Sequence, residues 1–277
     1  MNDIYNAFHE FFEIIEADSV ELRQEVYRLR YHVLCVDGRL PGFNSTFYPK
    51  GLEEDEYDRH SSHILLRHRA SNSYIGTVRL ILQDPINPDK PFPIENYMQI
   101  DPGLVDLNAL PRQHAAEISR FVILSQFTQR RMEHVSVEKK SSSKKTKLLE
   151  RRRFPHVGLA LVVGIVQMCA AHKIDHWLSV MNPSLNRLLS YFGSDLNAVG
   201  PFSDYHGMRR PYYIRLIDVL AKMYQGHRDV WELITDYGKS CPYSMKYIKT
   251  NASHCKNALL KNTNKSTNNL LKENILI

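Results

Sequence analysis

Glu117-Ile118-Ser119-Arg120 puts a carboxylate, a hydroxyl and a guanidinium into four residues at the head of an apolar run that continues Phe121-Val122-Ile123-Leu124. The run is short and rich in β-branched and apolar side chains, which predicts a strand. In a regular strand Glu117 and Ser119 share one face, and Ile118 and Arg120 share the other. A carboxylate on a buried strand is costly unless it is paired. Two readings follow: a structural Glu–Arg pair, or a reaction centre in which burial raises the Glu117 pKa toward neutrality and makes it a base.

Other charges stand in equally unusual places. Val78, Leu80 and Leu82 alternate with Arg79, Ile81 and Gln83, so Arg79 lies mid-strand and requires a carboxylate partner. Glu53-Glu54-Asp55-Glu56-Tyr57-Asp58 is an acidic cluster whose simplest reading is a solvated loop.

The elements that must position these groups read as follows. Residues 1–19 begin amphipathically with Phe8, Phe11, Phe12, Ile14 and Ile15, which suits a helix. From Val20 to Val36, Leu22, Val26, Leu29 and Val33 recur at helical spacing. Residues 37–51 read as loop. Ser62–Arg69 and Tyr74–Leu82 flank Ala70-Ser71-Asn72-Ser73 as a β-hairpin. Six prolines between residues 84 and 114 indicate a long irregular crossing before the Glu117 strand.

Pro155 suits the first turn of a helix running to His172. Then come a strand His176–Met181 and a helix Pro183–Phe192 stopped by Gly193. Strands Ala198–Ser203 and Tyr212–Leu216 follow, then helices Asp218–Tyr224 and Asp229–Tyr237. An antiparallel start followed by alternating strands and helices predicts an α/β fold: a mixed, mostly antiparallel central sheet with helices on both faces. The expected organisation is one domain over residues 1–240, interrupted by an insertion at about 127–152, with a polar tail at 241–277.

Between Arg130 and Arg153 there are ten basic residues and three acidic ones, a local excess larger than the net charge of +6 for the whole chain. The insertion reads as exposed and disordered, and functionally as a landing patch for an acidic partner. No apolar run of membrane-spanning length is present, and the N-terminus lacks a secretory pattern. Cys35, Cys169, Cys241 and Cys255 have no CxxC spacing, and the 13 histidines form no metal-ligand pattern. Reduced thiols, no metal site and a cytoplasmic location are therefore expected.

Four motifs occur in order: Leu29-Arg30-Tyr31-His32-Val33, Glu53-x-Asp55-x-x-Asp58, Gly76-Thr77-Val78-Arg79-Leu80 and Glu117-x-Ser119-Arg120-Phe121. Together they resemble the autoinducer synthase branch of the GNAT acyltransferases, which includes acyl-homoserine-lactone synthases and N-acyl amino acid synthases. His176-Trp177-Leu178-x-Val180-Met181-Asn182-Pro183 and Tyr205-His206-Gly207-x-Arg209-Arg210-Pro211-Tyr212 are similar to the acyltransferases of PEP-CTERM/exosortase systems. The resemblance spans about residues 15 to 220. Gly158-Leu159-Ala160 after Arg151-Arg152-Arg153 partly matches the family's pyrophosphate loop, with Pro155 in place of its first Arg or Gln. Asn182, Leu185, Leu188 and Gly193 keep the spacing of its second half. Leu189 stands where many members place a tyrosine general acid.

The resemblance implies a GNAT-like fold with Arg30, Asp55, Asp58, Arg79, Glu117 and Arg120 gathered in one network. It implies N-acyl transfer from the phosphopantetheine thioester of acyl carrier protein, or of CoA, to the amine of an amino acid or similar molecule. Glu117 would be the base, with Ser119 beside it. Backbone N–H groups of Phe121, Val122, Ile123 and Leu124 would meet the oxyanion. Arg153, Gly158, Ala160 and Asn182 would hold the pantetheine arm, its phosphate near the start of the Pro155–His172 helix. Acidic carrier protein would dock on Arg151–Arg153 and the insertion. Arg30 and Arg209 are the candidates to clamp an acceptor carboxylate.

No permanently bound cofactor and no nucleic-acid partner are expected. A lactone synthase acting on S-adenosylmethionine is the second reading, set back by Leu34 where those enzymes have Phe and by the lack of Trp near residue 40. A non-catalytic basic module for carrier protein, lipid or nucleic acid is the third.

Overall fold

The computed structural model describes residues 2–37, 41–128 and 153–253. Its strands are β1 (Phe12–Glu16), β2 (Ser61–His68), β3 (Ser73–Ile81), β4 (Ala115–Ile123), β5 (His176–Met181), β6 (Asn197–Ala198), β7 (Ser203–Asp204) and β8 (Met208–Arg215). They form a sheet of order β1-β2-β3-β4-β5-β8-β6, with β7 paired to β8. Among the described residues β4–β5 is the one parallel pair; the rest are antiparallel. The helices are α1 (Asp3–Phe11), α2 (Val20–Tyr31), α3 (Pro93–Tyr97), α4 (Ser125–Thr128), α5 (Val157–His172), α6 (Pro183–Tyr191), α7 (Leu216–Gly226) and α8 (Arg228–Ile234). The expected α/β class, with its mostly antiparallel sheet, is borne out.

Strand alternation decides what each face of the sheet carries. On β2, Ile64 and Leu66 join the large core around α5, whereas Leu65 packs with Val26 and Leu29 of α2. Helices therefore cover both faces. Helix α5 is apolar all round and buried along nearly its whole length, as the helix of a β4–α5–β5 crossover must be. Strand β3 pairs His63 with Arg79, and β4 pairs Ser119 with Arg79 and Glu117 with Ile81. Arg79, Ser119 and Glu117 thus lie on the α2 side of the sheet.

Several expectations need correction. The N-terminal segment is not one helix: α1 stops at Phe11, and Phe12–Glu16 pairs with β2 as an edge strand. β-Branched Ile14 and Ile15 gain more from a sheet edge than from another helical turn. Helix α2 ends at Tyr31 and continues as a π-helical turn, His32–Asp37. Pro155 precedes α5 rather than opening it, and His156 is the N-cap. The strand expected at Ala198–Ser203 exists only as β6 and β7, separated by Gly200-Pro201. Gly200 approaches the neighbouring backbone so closely that a Cβ there would lie 2.0 Å from the Gln99 carbonyl oxygen.

The tail is not loose from residue 241 onward: residues 245–253 are helical, and fully buried Ile248 joins the main core. Phe127 and Thr128, assigned above to a disordered insertion, end helix α4. The rest of the insertion to residue 152, with Arg151 and Arg152, and the tail beyond residue 253 lie outside the described residues. Among the described residues no helix is long and apolar enough to cross a membrane.

Candidate active site

The acidic cluster is not a solvated loop. Asp55 caps a 3-10 turn, Glu56–His60: its side chain accepts from the Tyr57 N–H, and Asp58 reaches back to the Asp55 N–H at 2.8 Å. This reciprocal cap, written by the spacing Asp-x-x-Asp, aims both carboxylates at the sheet. Asp58 takes Arg30 through two hydrogen bonds, 2.7 and 3.1 Å, and Arg79 at 2.9 Å. Asp55 takes Arg79 at 2.6 Å and Arg120 at 3.0 Å. Glu53, fully buried, joins Arg30 to Arg120. Three guanidinium charges thus meet three carboxylate charges. Sequence reasoning quoted Glu53 in a motif yet left it out of the network; its place two residues before Asp55 was the available signal.

Burial pushes the Asp58, Asp55 and Glu53 carboxyls upward, but the adjacent arginines outweigh it and hold all three below their usual range. Arg30 is raised because Glu53 and Asp58 overcome its desolvation. Arg79 is likewise raised: Asp58 and Asp55 prevail over burial and the neighbouring Arg30.

Arg120 reaches this network because β4 is not regular. The β3–β4 register shifts between Thr77 and Arg79, and Arg120 adopts φ +51°, in the left-handed region. This is a β-bulge. It turns Arg120 onto the side of Ser119 and Glu117, correcting the expectation that Arg120 would share the face of Ile118. Beyond Ser179 the β4–β5 pairing ends, since only Ala115–Ile118 is matched to His176–Ser179. The two strands splay.

Into the splay opens a cavity of about 700 Å³. Its polar end holds Asp55, Arg79, Glu117, Ser119, Arg120, Tyr205 and Arg209; its apolar end holds Phe121, Ile123, Met181, Leu185 and Leu188. Glu117 forms no Glu–Arg pair. Its Oε2 accepts from the Ile94 N–H at 2.7 Å in the first turn of α3, and among the described residues no cation lies within ion-pair distance. Burial raises its carboxyl, against that hydrogen bond and the charges of Arg79 and Arg120, to about 7. Ser119 accepts from the Arg79 Nε at 2.9 Å.

Not every residue singled out from the sequence lines this cavity. Arg30 and Asp58 lie behind it, and Arg30 is fully buried and saturated, so it is no clamp for a substrate carboxylate. Phe121, Val122 and Ile123 line it, but Leu124 does not, and the Leu124 N–H donates to the Ile75 carbonyl. Arg153 pairs with Glu10 and lies over Phe11, away from the cavity.

Gly158 and Ala160 are buried in α5 and do not line the cavity either. The α5 N-terminus is not an open anion site as expected, because the His156 ring accepts from the Gly158 N–H at 2.9 Å. A Cβ on Gly158 would lie 3.0 Å from that ring and 3.6 Å from Phe121, so the glycine lets the cap fold back. Asn182 lines the cavity and caps α6 through the Leu185 N–H. Leu189 is buried in the core and Tyr191 is 74% exposed, so α6 brings no tyrosine to the site.

Tyr97 at the polar end was not singled out from the sequence, and Tyr205 and His206 were quoted there in a motif but given no role in the site. Tyr97 and Tyr205 stack at 5.0 Å, and the His206 ring nitrogen bonds the Pro41 carbonyl at 2.7 Å. Among the described residues no cluster of side chains able to hold a metal ion is present.

Residues 29–138 match the family described as acetyltransferase (GNAT) domain. No curated protein matches the sequence. The structure is similar to BjaI, a CoA-dependent acyl-homoserine lactone synthase, with a TM-score of 0.50 at 14% identity over 87% of this chain and 98% of that one. TofI, in a ternary complex with an inhibitor and MTA, gives a TM-score of 0.49 at 17% identity over 79% and 95% of the two chains. FeeM, an N-acyl amino acid synthase from uncultured soil microbes, gives 0.45 at 12% identity over 76% and 94%. Residues 29–138 are thus similar to an acetyltransferase (GNAT) domain, and the chain shares its fold with BjaI.

Proposed function

We propose that the chain moves a fatty acyl group from the thioester of acyl carrier protein, or of CoA, to the primary amine of a small acceptor such as an amino acid. The observation that carries this reading is Glu117: a fully buried carboxyl, raised to about 7 and without a counter-ion, in a cavity with one polar and one apolar end. A base of that strength takes a proton from an ammonium ion near neutral pH. The freed lone pair attacks the thioester carbonyl and forms the C–N bond. The oxyanion lies against the splayed part of β4, where donors fixed in advance stabilise it without reorganisation. Collapse breaks the C–S bond; the second amine proton goes to the leaving sulfur, and Glu117 returns its own to solvent.

Arg79 holds Ser119 and, with Arg120, fixes the wall against which the amine is presented. The acyl chain occupies the apolar end, between Phe121 and α6. The cavity volume falls in the range usual for sites of this kind. Free thiols at Cys35, Cys169 and Cys241 support a reducing compartment, the cytoplasm.

The test supplies purified protein with dodecanoyl and hexadecanoyl donors on carrier protein and on CoA. The acceptor panel contains the twenty amino acids and S-adenosylmethionine, and release of free thiol and the mass of the product are read. An N-acyl amino acid supports the proposal. An acyl-homoserine lactone moves the chain to the second reading, and no acceptor-dependent thiol release from any pair overturns both.

A further inference from the structure

We infer that the acceptor is a carboxylate-bearing amine, held by Arg209 through that carboxylate; this deepens the acyl-transfer reading and rests on it only for the identity of the amine. The inference comes from which charges in the cavity are already matched. Asp55, Glu56, Arg79 and Arg120 each have a counter-ion within 4.0 Å. Among the described residues, Glu117 and Arg209 are the charged cavity groups that have none. One is a carboxyl without a cation, the other a guanidinium without an anion. A zwitterionic amino acid is their complement: its ammonium faces Glu117 and its carboxylate faces Arg209.

The surroundings of Arg209 agree. It is half-buried on β8, and its Nε makes one long bond, 3.4 Å, to the His206 carbonyl. Among the described residues nothing hydrogen-bonds or ion-pairs with its terminal nitrogens, the two that grip a carboxylate side by side. Burial disfavours its charge and the nearby Arg120 adds to that, so the free site holds a cation that an incoming anion would relieve. The turn that carries it is fixed: His206 and Gly207 both have positive φ, and the His206 ring is held by the Pro41 carbonyl. The backbone that presents Arg209 to the cavity is therefore set in place before substrate arrives.

Binding, rather than turnover, tests this directly. N-dodecanoylglycine and N-methyldodecanamide differ only by the carboxylate. Calorimetric titration of the full chain with each is expected to show the acid binding about 10- to 100-fold more tightly, the range for one charge-assisted contact. Arg209→Gln removes that preference, and Arg209→Lys retains part of it because an ammonium still pairs, though without the fork. Equal binding of the two ligands by the unaltered chain, or an undiminished preference in Arg209→Gln, overturns the inference. Thiol release with simple alkylamines as readily as with amino acids overturns it as well while leaving acyl transfer standing. A carboxylate preference lost in Arg209→Gln without thiol release from any donor upholds the clamp and sinks acyl transfer.

Discussion

Replacing Glu117 by Gln separates activity from stability in opposite directions. The carboxyl is raised from 4.5 to about 7, which corresponds to about 3 kcal/mol between its neutral and ionised forms inside the fold. A carboxyl with a raised folded-state pKa contributes stability that is fully present below the unfolded value, about 4.5, and is lost as pH rises through about 7. The unaltered protein therefore carries a poorly solvated anion above neutrality, and the glutamine variant never does. The stability of Glu117→Gln relative to the unaltered chain should improve by about 2 to 3 kcal/mol between pH 5 and pH 8, read by urea unfolding at each pH. The amide oxygen can still accept from the Ile94 N–H, so the hydrogen bond that seats the side chain survives.

Activity moves the other way. Loss of a positioned base costs about 10²- to 10⁴-fold in rate. In the unaltered protein kcat/KM rises tenfold per pH unit below about 7 and levels above it, because only the ionised carboxylate accepts a proton. The variant loses that inflection. Thiol release followed from pH 5.5 to 8.5 gives both profiles. Full activity in Glu117→Gln, or an inflection that persists without the carboxylate, refutes the assignment of the base. A relative stability that does not change with pH refutes the raised carboxyl on which the assignment stands.

Other parts of the structure give further expectations. Arg30→Met strands the buried carboxylates of Glu53 and Asp58, and should cost about 3 to 5 kcal/mol in urea unfolding at pH 7. Because the Glu53, Asp55 and Asp58 pKa values are lowered, their contribution is present above the ordinary values of 4.5 and 3.8 and is lost as pH falls below them; the unaltered chain should lose stability on acidification in that window. Ile248→Ala should cost about 2 to 5 kcal/mol, since Ile248 is fully buried in the main core; a neutral outcome would detach residues 245–253 from the domain. Leu188→Trp, at the apolar end of the cavity, should lower the rate with hexadecanoyl relative to dodecanoyl donors in competition assays, with little change in the pH profile set by Glu117.

The hairpin, the Glu117 strand and the strand His176–Met181 were readable because alternation and helical spacing are local properties. The edge strand Phe12–Glu16 was not, since nothing in Phe-Glu-Ile-Ile-Glu states that β2 has a free edge to receive it. Buried charge was legible as a demand rather than as a pairing. Arg79 mid-strand required a carboxylate, and the acidic cluster held two of them, but only the folded-back cap of Asp55 on Asp58 shows that both turn inward. Tyr205 and His206 were visible as motif positions, yet a motif in a Gly-containing turn does not state that the turn folds over the Glu117 strand to line the cavity. Asn182 and Gly158 were visible as motif positions, yet Gly158 serves the His156 cap and a close approach to Phe121 rather than an anion.

One irregularity links the electrostatics of the site to its shape. If β4 continued regularly past Ser119, Arg120 would point with Ile118 into the apolar layer around α5, leaving a guanidinium in hydrocarbon and Glu53 with Arg30 alone. The bulge at Arg120 turns that side chain into the ion network, and with its left-handed backbone the strand bends away from β5 just where their pairing stops. The strain of a non-glycine residue at φ +51° is held in place by the contacts Arg120 makes with Glu53 and Asp55. The network therefore does more than neutralise its own members: it holds Arg120 at the bulge where β4 parts from β5, beside the cavity that Glu117 lines. Disturbing Glu53, which holds Arg120 but does not itself line the cavity, is for that reason expected to change the site as well as the stability of the fold.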